Sequence, residues 1–250
     1  MKKKINVIGL GYIGLPTAAL LSSKGYSVSG TDTNSYIVNT INKGKTHINE
    51  IGLNKLVKNA VKKGKLKAFN EVKPSDVFII CVPTPFNKSK KIPTPNLEYI
   101  LQASRNIAPV LKPGNYVILE STSPVGTTKK VRNILADNGV LVEKIHIAYC
   151  PERVLPGKIL NELIENDRIV GGLTPLTTKK ISNFYRTFVS GKVHETDTQT
   201  AEMCKLVENS FRDVNIAFAN ELSVICDQEG INVRNVISLS NHHPRINILE

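Results

Sequence analysis

Cysteine is sparse in this chain: four in 250 residues, at positions 81, 150, 204 and 226, with no CxxC pair. That spacing argues against a structural zinc site or other bound metal, and against a disulfide framework. Long apolar runs are also missing. The longest is Val77–Val82, against the ~20 residues that a bilayer crossing needs. The amino terminus is basic, but Gly9, Gly11 and Gly14 break the apolar stretch behind it, so it does not read as a secretion signal. Lysine and arginine outnumber acidic residues 33 to 21, for a formal net charge of +12. Yet no basic block carries interleaved aromatics, and the longest basic run is Lys2–Lys4. The charge therefore suits small anions such as nucleotides and phosphosugars, and argues against nucleic acid as partner. These absences together predict a reduced, soluble, cytoplasmic protein with no membrane contact.

What the chain does have is an ordinary globular composition, 41% apolar and 22% charged, long enough for one large core or two. Its first signal is a short apolar strand at 5–8 running into Gly9-Leu10-Gly11-Tyr12-Ile13-Gly14, a GxGxxG, and then a helix-like stretch at 15–24 that stops at Gly25. A lone GxGxxG is weak. Here a second strand at 27–31 ends at Asp32, where a carboxylate can hold the ribose hydroxyls of a dinucleotide and repel a 2′-phosphate. The glycines permit a tight turn and bring backbone N–H groups near a pyrophosphate at the helix N-terminus. NAD is expected over NADP.

Strands are further expected at 66–69, 77–82, 116–120, 144–149, 168–172 and 191–196. Helices fall between them at 34–43, 53–63, 97–111, up to 138, at 159–165 and after Thr174. The all-apolar run at 77–82 reads as a parallel strand buried on both faces. Alternation of β and α predicts an α/β fold: a Rossmann-like, doubly wound, mainly parallel sheet. Loops at the carboxyl ends of its strands would line the ligand crevice. Thr84, in a loop rich in proline and lysine up to Pro95, and Thr122, in Ser121–Thr128, are each either cofactor contacts or plain turn and capping residues. Glu152 and Arg153 stand together at the exit of a buried strand, where a functional role is favoured over plain surface.

The sheet is followed by a long helix beginning at Asp197 or Thr198 and running to Gln228, with Gly230 as its stop and a length of roughly 45 Å. Met203, Leu206, Val207, Phe211, Val214, Ala217 and Phe218 share a broad apolar face, which predicts a homodimer built on this helix. Lys205, Asn209 and Arg212 lie together on the other side, either as a solvated stripe or as a wall that holds an anion or oxyanion. A further helix spans 232–241. The expected organisation is a dinucleotide-binding domain, 1–197, and a helical segment, 198–250, that starts a second domain for dimerisation and substrate.

GLGYIGLP (9–16), VPTP (82–85), ESTSPVGTT (120–128), PERVLPGK (151–158), AEMCKLVENSFRDVNIAFANEL (201–222) and NHHPRINIL (241–249) together resemble the UDP-glucose/GDP-mannose dehydrogenase family. The branch acting on UDP-N-acetyl-D-mannosamine is nearest, because the UDP-glucose branch usually carries a Phe-Leu-Arg type sequence where this chain has Arg153-Val154-Leu155-Pro156-Gly157. The resemblance implies two successive NAD-dependent oxidations at one sugar carbon, for surface polysaccharide synthesis. It implies NAD contacts at Gly9, Gly11, Tyr12, Ile13, Gly14, Asp32, Thr84 and Thr122. Contacts to a UDP-sugar are implied at Arg153, Val154, Lys205, Asn209, Arg212, His243 and Arg245. Lys205 resembles the catalytic lysine, with Asn209 stabilising oxygen anions and Glu152 working through water. The family's nucleophilic cysteine sits in a Gly-Gly-His-Cys segment that this sequence does not show, and the UDP-closing domain is likewise not matched. Cys204 lies about 100° around the helix from Lys205 and cannot replace that nucleophile. The expectation is therefore no more than trace NADH and no uronate from these 250 residues alone. Alternatives are an NAD-binding or dimerisation module without catalysis, a dehydrogenase for UDP-N-acetylglucosamine or UDP-glucose, and a two-electron β-hydroxyacid dehydrogenase, which also pairs a lysine with an asparagine four residues on.

Overall fold

A computed structural model describes residues 2–87 and 92–249. They form two compact units, Met1–Met203 and Cys204–Glu250.

The first unit is built on a mixed sheet of eight strands: β1 (Lys4–Ile8), β2 (Ser27–Thr31), β3 (Leu66–Phe69), β4 (Val77–Ile80), β7 (Tyr116–Leu119), β8 (His146–Tyr149), β9 (Arg168–Gly172) and β10 (Val193–Asp197). A two-stranded ribbon, β5 (Phe86–Asn87) with β6 (Thr94–Pro95), sits inside the loop expected to lack structure. Part of that loop, 88–91, lies outside the described residues. The spatial order is β10-β9-β8-β7-β4-β1-β2-β3. β1 thus lies between β4 and β2, where the winding reverses direction, and ligands of open α/β sheets bind at such a reversal. β1 to β4, β7 and β8 run parallel, as expected, but β9 pairs antiparallel with β8, through Ala148↔Gly172 and Tyr149↔Gly171. β10 then runs parallel to β9. The reversal follows from what joins β8 to β9. The connection holds the helix α6 (Ile159–Glu165), and the chain starts β9 from the carboxyl end of β8 without crossing back to its amino end.

Helices cover both faces. α1 (Gly14–Ser23), α2 (Ser35–Asn42), α3 (Leu53–Lys62), α6 and α7 (Pro175–Tyr185) pack on the face holding Ile5, Val7, Val77 and Ile79. α4 (Glu98–Ile107), α5 (Thr127–Asp137) and the start of α8 (Thr198–Gln228) pack on the face holding Ile8, Phe78, Ile80 and Leu119. The alternation along Val77-Phe78-Ile79-Ile80, every residue fully buried, is the two-sided burial that an all-apolar parallel strand requires.

α8 begins where Asp197 accepts hydrogen bonds from Thr200 N at 3.0 Å and Thr200 Oγ1 at 2.6 Å. The second unit holds the remainder of α8, then α9 (Val233–Ser240), capped by Asn232, whose Oδ1 accepts from Arg234 N and Asn235 N. Asn241 fastens the segment after α9 by accepting from Ile248 N at 2.7 Å and donating to Ile248 O at 3.0 Å. Among the described residues no helix is long and apolar enough to cross a membrane, and no group of histidine, cysteine and acidic residues is placed to hold a metal.

Candidate functional site: a dinucleotide cleft at the sheet's reversal point

A cleft of about 970 Å³ opens outside the carboxyl ends of β1, β2, β4 and β7, at the point where the strand order reverses. Its walls gather Gly9, Gly11, Tyr12, Ile13, Asp32, Thr84, Thr122 and Glu152 from five separate connections. α4 contributes Tyr99 and Arg105, the latter paired with Glu98 at 2.7 Å.

Each glycine of the turn has its own steric reason. Gly9 has φ +87°, and a Cβ there would lie 2.8 Å from the Cys81 carbonyl oxygen. A Cβ on Gly14 would stand 1.8 Å from Gly9 O, so the first turn of α1 can seat on the loop only without a side chain. Gly11 is different: its Cβ would meet nothing within 4 Å, and its open side belongs to the cleft. Gly9 and Gly14 keep the turn closed, whereas Gly11 leaves room for a ligand's backbone approach.

Asp32 is held as a ribose ligand must be. One carboxylate oxygen accepts from Leu10 N and the other from Asn34 N, both at 2.9 Å, while Asn70 Nδ2 donates to the Asp32 carbonyl at 3.0 Å. A carboxylate has about four acceptor positions, so two remain for hydroxyls. The room at Gly11, the N-terminus of α1 and this half-buried carboxylate fit a dinucleotide.

Thr84 and Thr122 join the two halves of the cleft: Thr84 Oγ1 donates to Thr122 O at 2.7 Å. Ser121 Oγ donates to Val82 O at 2.7 Å. The hydroxyls before α5 do not cap it. Gly126 occupies the cap position with φ +92°, and the missing acceptor comes from α8. The fully buried Glu202 carboxylate accepts from Gly126 N at 2.6 Å and from Thr128 N and Thr128 Oγ1 at 2.7 Å each. Sequence spacing holds no signal for this bond across more than seventy residues.

Glu152 turns its Oε2 to accept from Val154 N at 2.9 Å, while Arg153 Nη1 donates to Asp167 O at 3.1 Å and Asn166 Nδ2 to Arg153 O at 2.6 Å. The loop carrying them is pinned from the loop after α2. Glu50 is buried and accepts from Gly157 N at 2.8 Å and Ile159 N at 3.0 Å. In the second unit Lys205, Asn209 and Arg212 follow one another along α8, with Arg212 Nη2 donating to Asn209 Oδ1 at 3.2 Å. His243 and Arg245 lie in the segment after α9, where Arg245 N donates to His243 Nδ1 at 3.3 Å.

A buried polar group behind the cleft went unseen in the sequence. Glu120 directly follows the apolar strand β7 and is 2% exposed. It accepts from Tyr185 Oη at 2.6 Å and from Cys81 Sγ at 3.3 Å. Burial pushes its carboxyl above the usual value, and the nearby Arg168 guanidinium opposes that shift. Arg168 is itself 2% exposed, lies 5.7 Å from the Tyr185 ring centre, and among the described residues has no hydrogen-bond partner for its Nε and Nη1. Burial raises the Cys81 thiol well above its ordinary value and pushes the Cys150 thiol up to about 12. Both stay protonated at neutral pH and are poor nucleophiles. An acidic residue directly after a run buried on both faces was the available sign of this group.

Comparison with known proteins gives the fold its family. The model of the UDP-glucose/GDP-mannose dehydrogenase family NAD binding domain matches residues 3–189, and that of the family's central domain matches 199–249. The chain belongs to the UDP-glucose/GDP-mannose dehydrogenase family. Its amino-terminal unit is accordingly an NAD-binding domain. A UDP-N-acetyl-D-mannosamine dehydrogenase of Campylobacter jejuni is 54% identical over 99% of this chain and 62% of its own length. An NDP-N-acetyl-D-galactosaminuronic acid dehydrogenase of Ralstonia nicotianae is 52% identical over 99% of this chain and 60% of its own. Among solved structures, a UDP-D-ManNAc dehydrogenase from Pyrococcus horikoshii superposes with a TM-score of 0.92 at 44% identity, covering 98% of this chain and 59% of that one. The chain thus spans about 60% of the length of the curated relatives it matches.

Proposed function

We propose that this chain supplies the NAD site and part of the sugar site of an enzyme that oxidises UDP-N-acetyl-D-mannosamine to the uronate in two NAD-dependent steps. The observation that carries the reading is the cleft, which runs from a ribose-type carboxylate at Asp32 to the Glu152 loop in a protein 54% identical to a relative named for that activity. Bound NAD supplies the hydride acceptor. Gly9, Gly11, Tyr12 and Ile13 hold its pyrophosphate, with Gly14 acting by seating the N-terminus of α1 against the turn, Asp32 holds its adenosine ribose, and Thr84 and Thr122 its far half. The Lys205 ammonium and Asn209 amide stabilise the oxygen anion of the substrate, and Glu152 moves a proton through water. Arg153, Arg212, His243 and Arg245 provide donors for the nucleotide diphosphate, and Val154 packs beside it. A second reading, with an N-acetylgalactosamine-type sugar, is favoured by the 52% identity to the Ralstonia protein.

Binding tests both. NAD should bind better than NADP. Asp32→Asn should weaken NAD by about tenfold, the effect of one charge-assisted contact, and narrow the gap to NADP. In the presence of NAD, UDP-N-acetylmannosamine should bind more tightly than UDP-N-acetylgalactosamine or UDP-glucose. Equal affinity for NAD and NADP would remove the Asp32 assignment, and preference for the galactosamine derivative would select the second reading.

A homodimer through α8 belongs to the same proposal. Val207, Phe211, Val214 and Phe218 form one stripe at helical spacing and are 56%, 71%, 67% and 54% exposed in the chain by itself. A self-complementary helix pair covers such a stripe with closed symmetry. Light scattering at tens of micromolar should give twice the chain mass, and Phe211→Glu should halve it. A monomeric wild-type chain at that concentration would end the proposal.

A further inference from the structure

The Glu120 group has no part in the scheme above, although Cys81 and Glu120 both line the cleft. Their place in it is defined by the strands. Asp32, Asn70 and Glu71 lie at the ends of β2 and β3, on one side of the glycine turn. Cys81, Glu120, Ser121, Thr122 and Glu152 lie at the ends of β4, β7 and β8, on the other. A dinucleotide with its adenosine ribose at Asp32 and its pyrophosphate over Gly11 extends across the reversal point, so its nicotinamide half lies among the second group.

Two donors point at Glu120, the Tyr185 hydroxyl and the Cys81 thiol, and its carboxylate offers only acceptors to them. The Arg168 guanidinium, held by one bond from Nη2 to Leu163 O at 3.3 Å, is the cation of this interior. That arrangement favours an ionised carboxylate held in a low-dielectric wall. The nicotinamide ring is cationic in NAD+ and neutral in NADH, and the two forms are otherwise nearly the same ligand. A fixed negative charge beside the ring therefore acts on one form and not on the other.

We propose that the Glu120 carboxylate sets the cleft's preference between the two oxidation states of its dinucleotide, holding NAD+ and weakening NADH. The inference rests on the cleft being the NAD site. Its consequence is directional: the oxidised cofactor is retained for each oxidation and the reduced one is released. Tyr185, Cys81 and Arg168 are positioning residues for this charge.

The test is a pair of titrations, NAD+ and NADH, on the 250-residue chain and on Glu120→Gln, with a melting curve for each protein. Damage to the cleft weakens both ligands alike, so the ratio of their dissociation constants isolates the charge on the ring. Glu120→Gln should lower Kd(NADH)/Kd(NAD+) by about tenfold, and Glu120→Asp, which keeps the charge, should hold it within roughly threefold. A folded Glu120→Gln protein with an unchanged ratio overturns the inference while leaving the NAD site intact. Wild-type protein that binds neither nucleotide overturns the site and the inference together. If Glu120→Gln shows no melting transition, the wild-type ratio is followed downward from neutral pH. The groups facing Glu120 are Cys81 on the β4 exit, Cys150 and Glu152 after β8, Arg168 on β9 and Tyr185 on α7. Repeating the series on Glu152→Gln removes the other carboxylate among them. Protonating Glu120 makes it equivalent to the amide, so the ratio must fall, beginning above the ordinary carboxylate range because burial raises this group. The fall must persist in Glu152→Gln, and a ratio flat with pH in that protein overturns the inference.

Discussion

Gly14→Ala is expected to lose about 3 kcal/mol of stability, a drop of roughly 6–12 °C in Tm for a chain of this size, together with most of its NAD affinity. The added methyl would sit 1.8 Å from Gly9 O, 2.9 Å from Gly9 C and 3.2 Å from Cys81 Cβ. The first two are backbone atoms, which no rotamer change can move aside. Either the start of α1 lifts off the turn or Gly9 shifts, and Gly9 is already confined by the Cys81 carbonyl. Both movements displace the N–H groups at the helix N-terminus from the phosphate position. Gly11→Ala is the matched control. Its methyl meets no protein atom within 4 Å, so its Tm should stay within about 2 °C of wild type. That methyl nevertheless projects into the cleft and should weaken NAD by about tenfold or more. Thermal melts and NAD titrations on the two variants separate the roles. Equal melting temperatures, or full NAD affinity in Gly11→Ala, would contradict the assignment of one glycine to packing and the other to ligand.

The second large effect is expected at Glu202. Its carboxylate is fully buried and serves three donors at the start of α5, the backbone N–H groups of Gly126 and Thr128 and the Thr128 hydroxyl. Truncation to alanine strands all three. At about 1–3 kcal/mol for each buried unmet group, partly relieved by entering water, the loss should be near 4 kcal/mol, or about 10 °C in Tm. The negative charge at a helix N-terminus adds to the loss. Because the Ser121–Gly126 loop carries Thr122 into the cleft, NAD should also bind less tightly. Glu202→Gln retains one acceptor oxygen but turns an amide N–H toward a donor, so it should recover only about half. The expected order of melting temperatures is wild type, then Glu202→Gln, then Glu202→Ala. A Glu202→Ala protein within about 1 kcal/mol of wild type would show that water or another residue caps α5 as well.

The parts of this molecule that could be read from its sequence are those whose chemistry is local. The turn at 9–14 and the carboxylate at Asp32 are specified within one strand-helix-strand unit, by steric limits on glycine and by the reach of a single side chain. Helix α8 was also legible, from Thr198 to Gln228, because a continuous periodic pattern bounded by Asp197 and Gly230 leaves little freedom. The apolar run from Val77 announced a strand buried on both faces for the same reason: each of its residues needs an apolar neighbour on whichever side it points.

Other features depend on where distant segments meet, and only the tertiary structure decided them. The direction of β9 depends on which end of the strands the chain has reached after α6, and strand patterning is the same in either direction. The hydroxyls of Ser121, Thr122 and Ser123 looked like caps for α5, but the acceptor there is Glu202, whose own position depends on the packing of α8. Glu50 and Glu120 are single acidic residues with no repeating pattern around them. One binds the Gly157–Ile159 backbone; the other lies between Tyr185 and Cys81. A buried carboxylate is stable only beside donors brought from elsewhere in the chain, and which donors those are is a property of the folded packing.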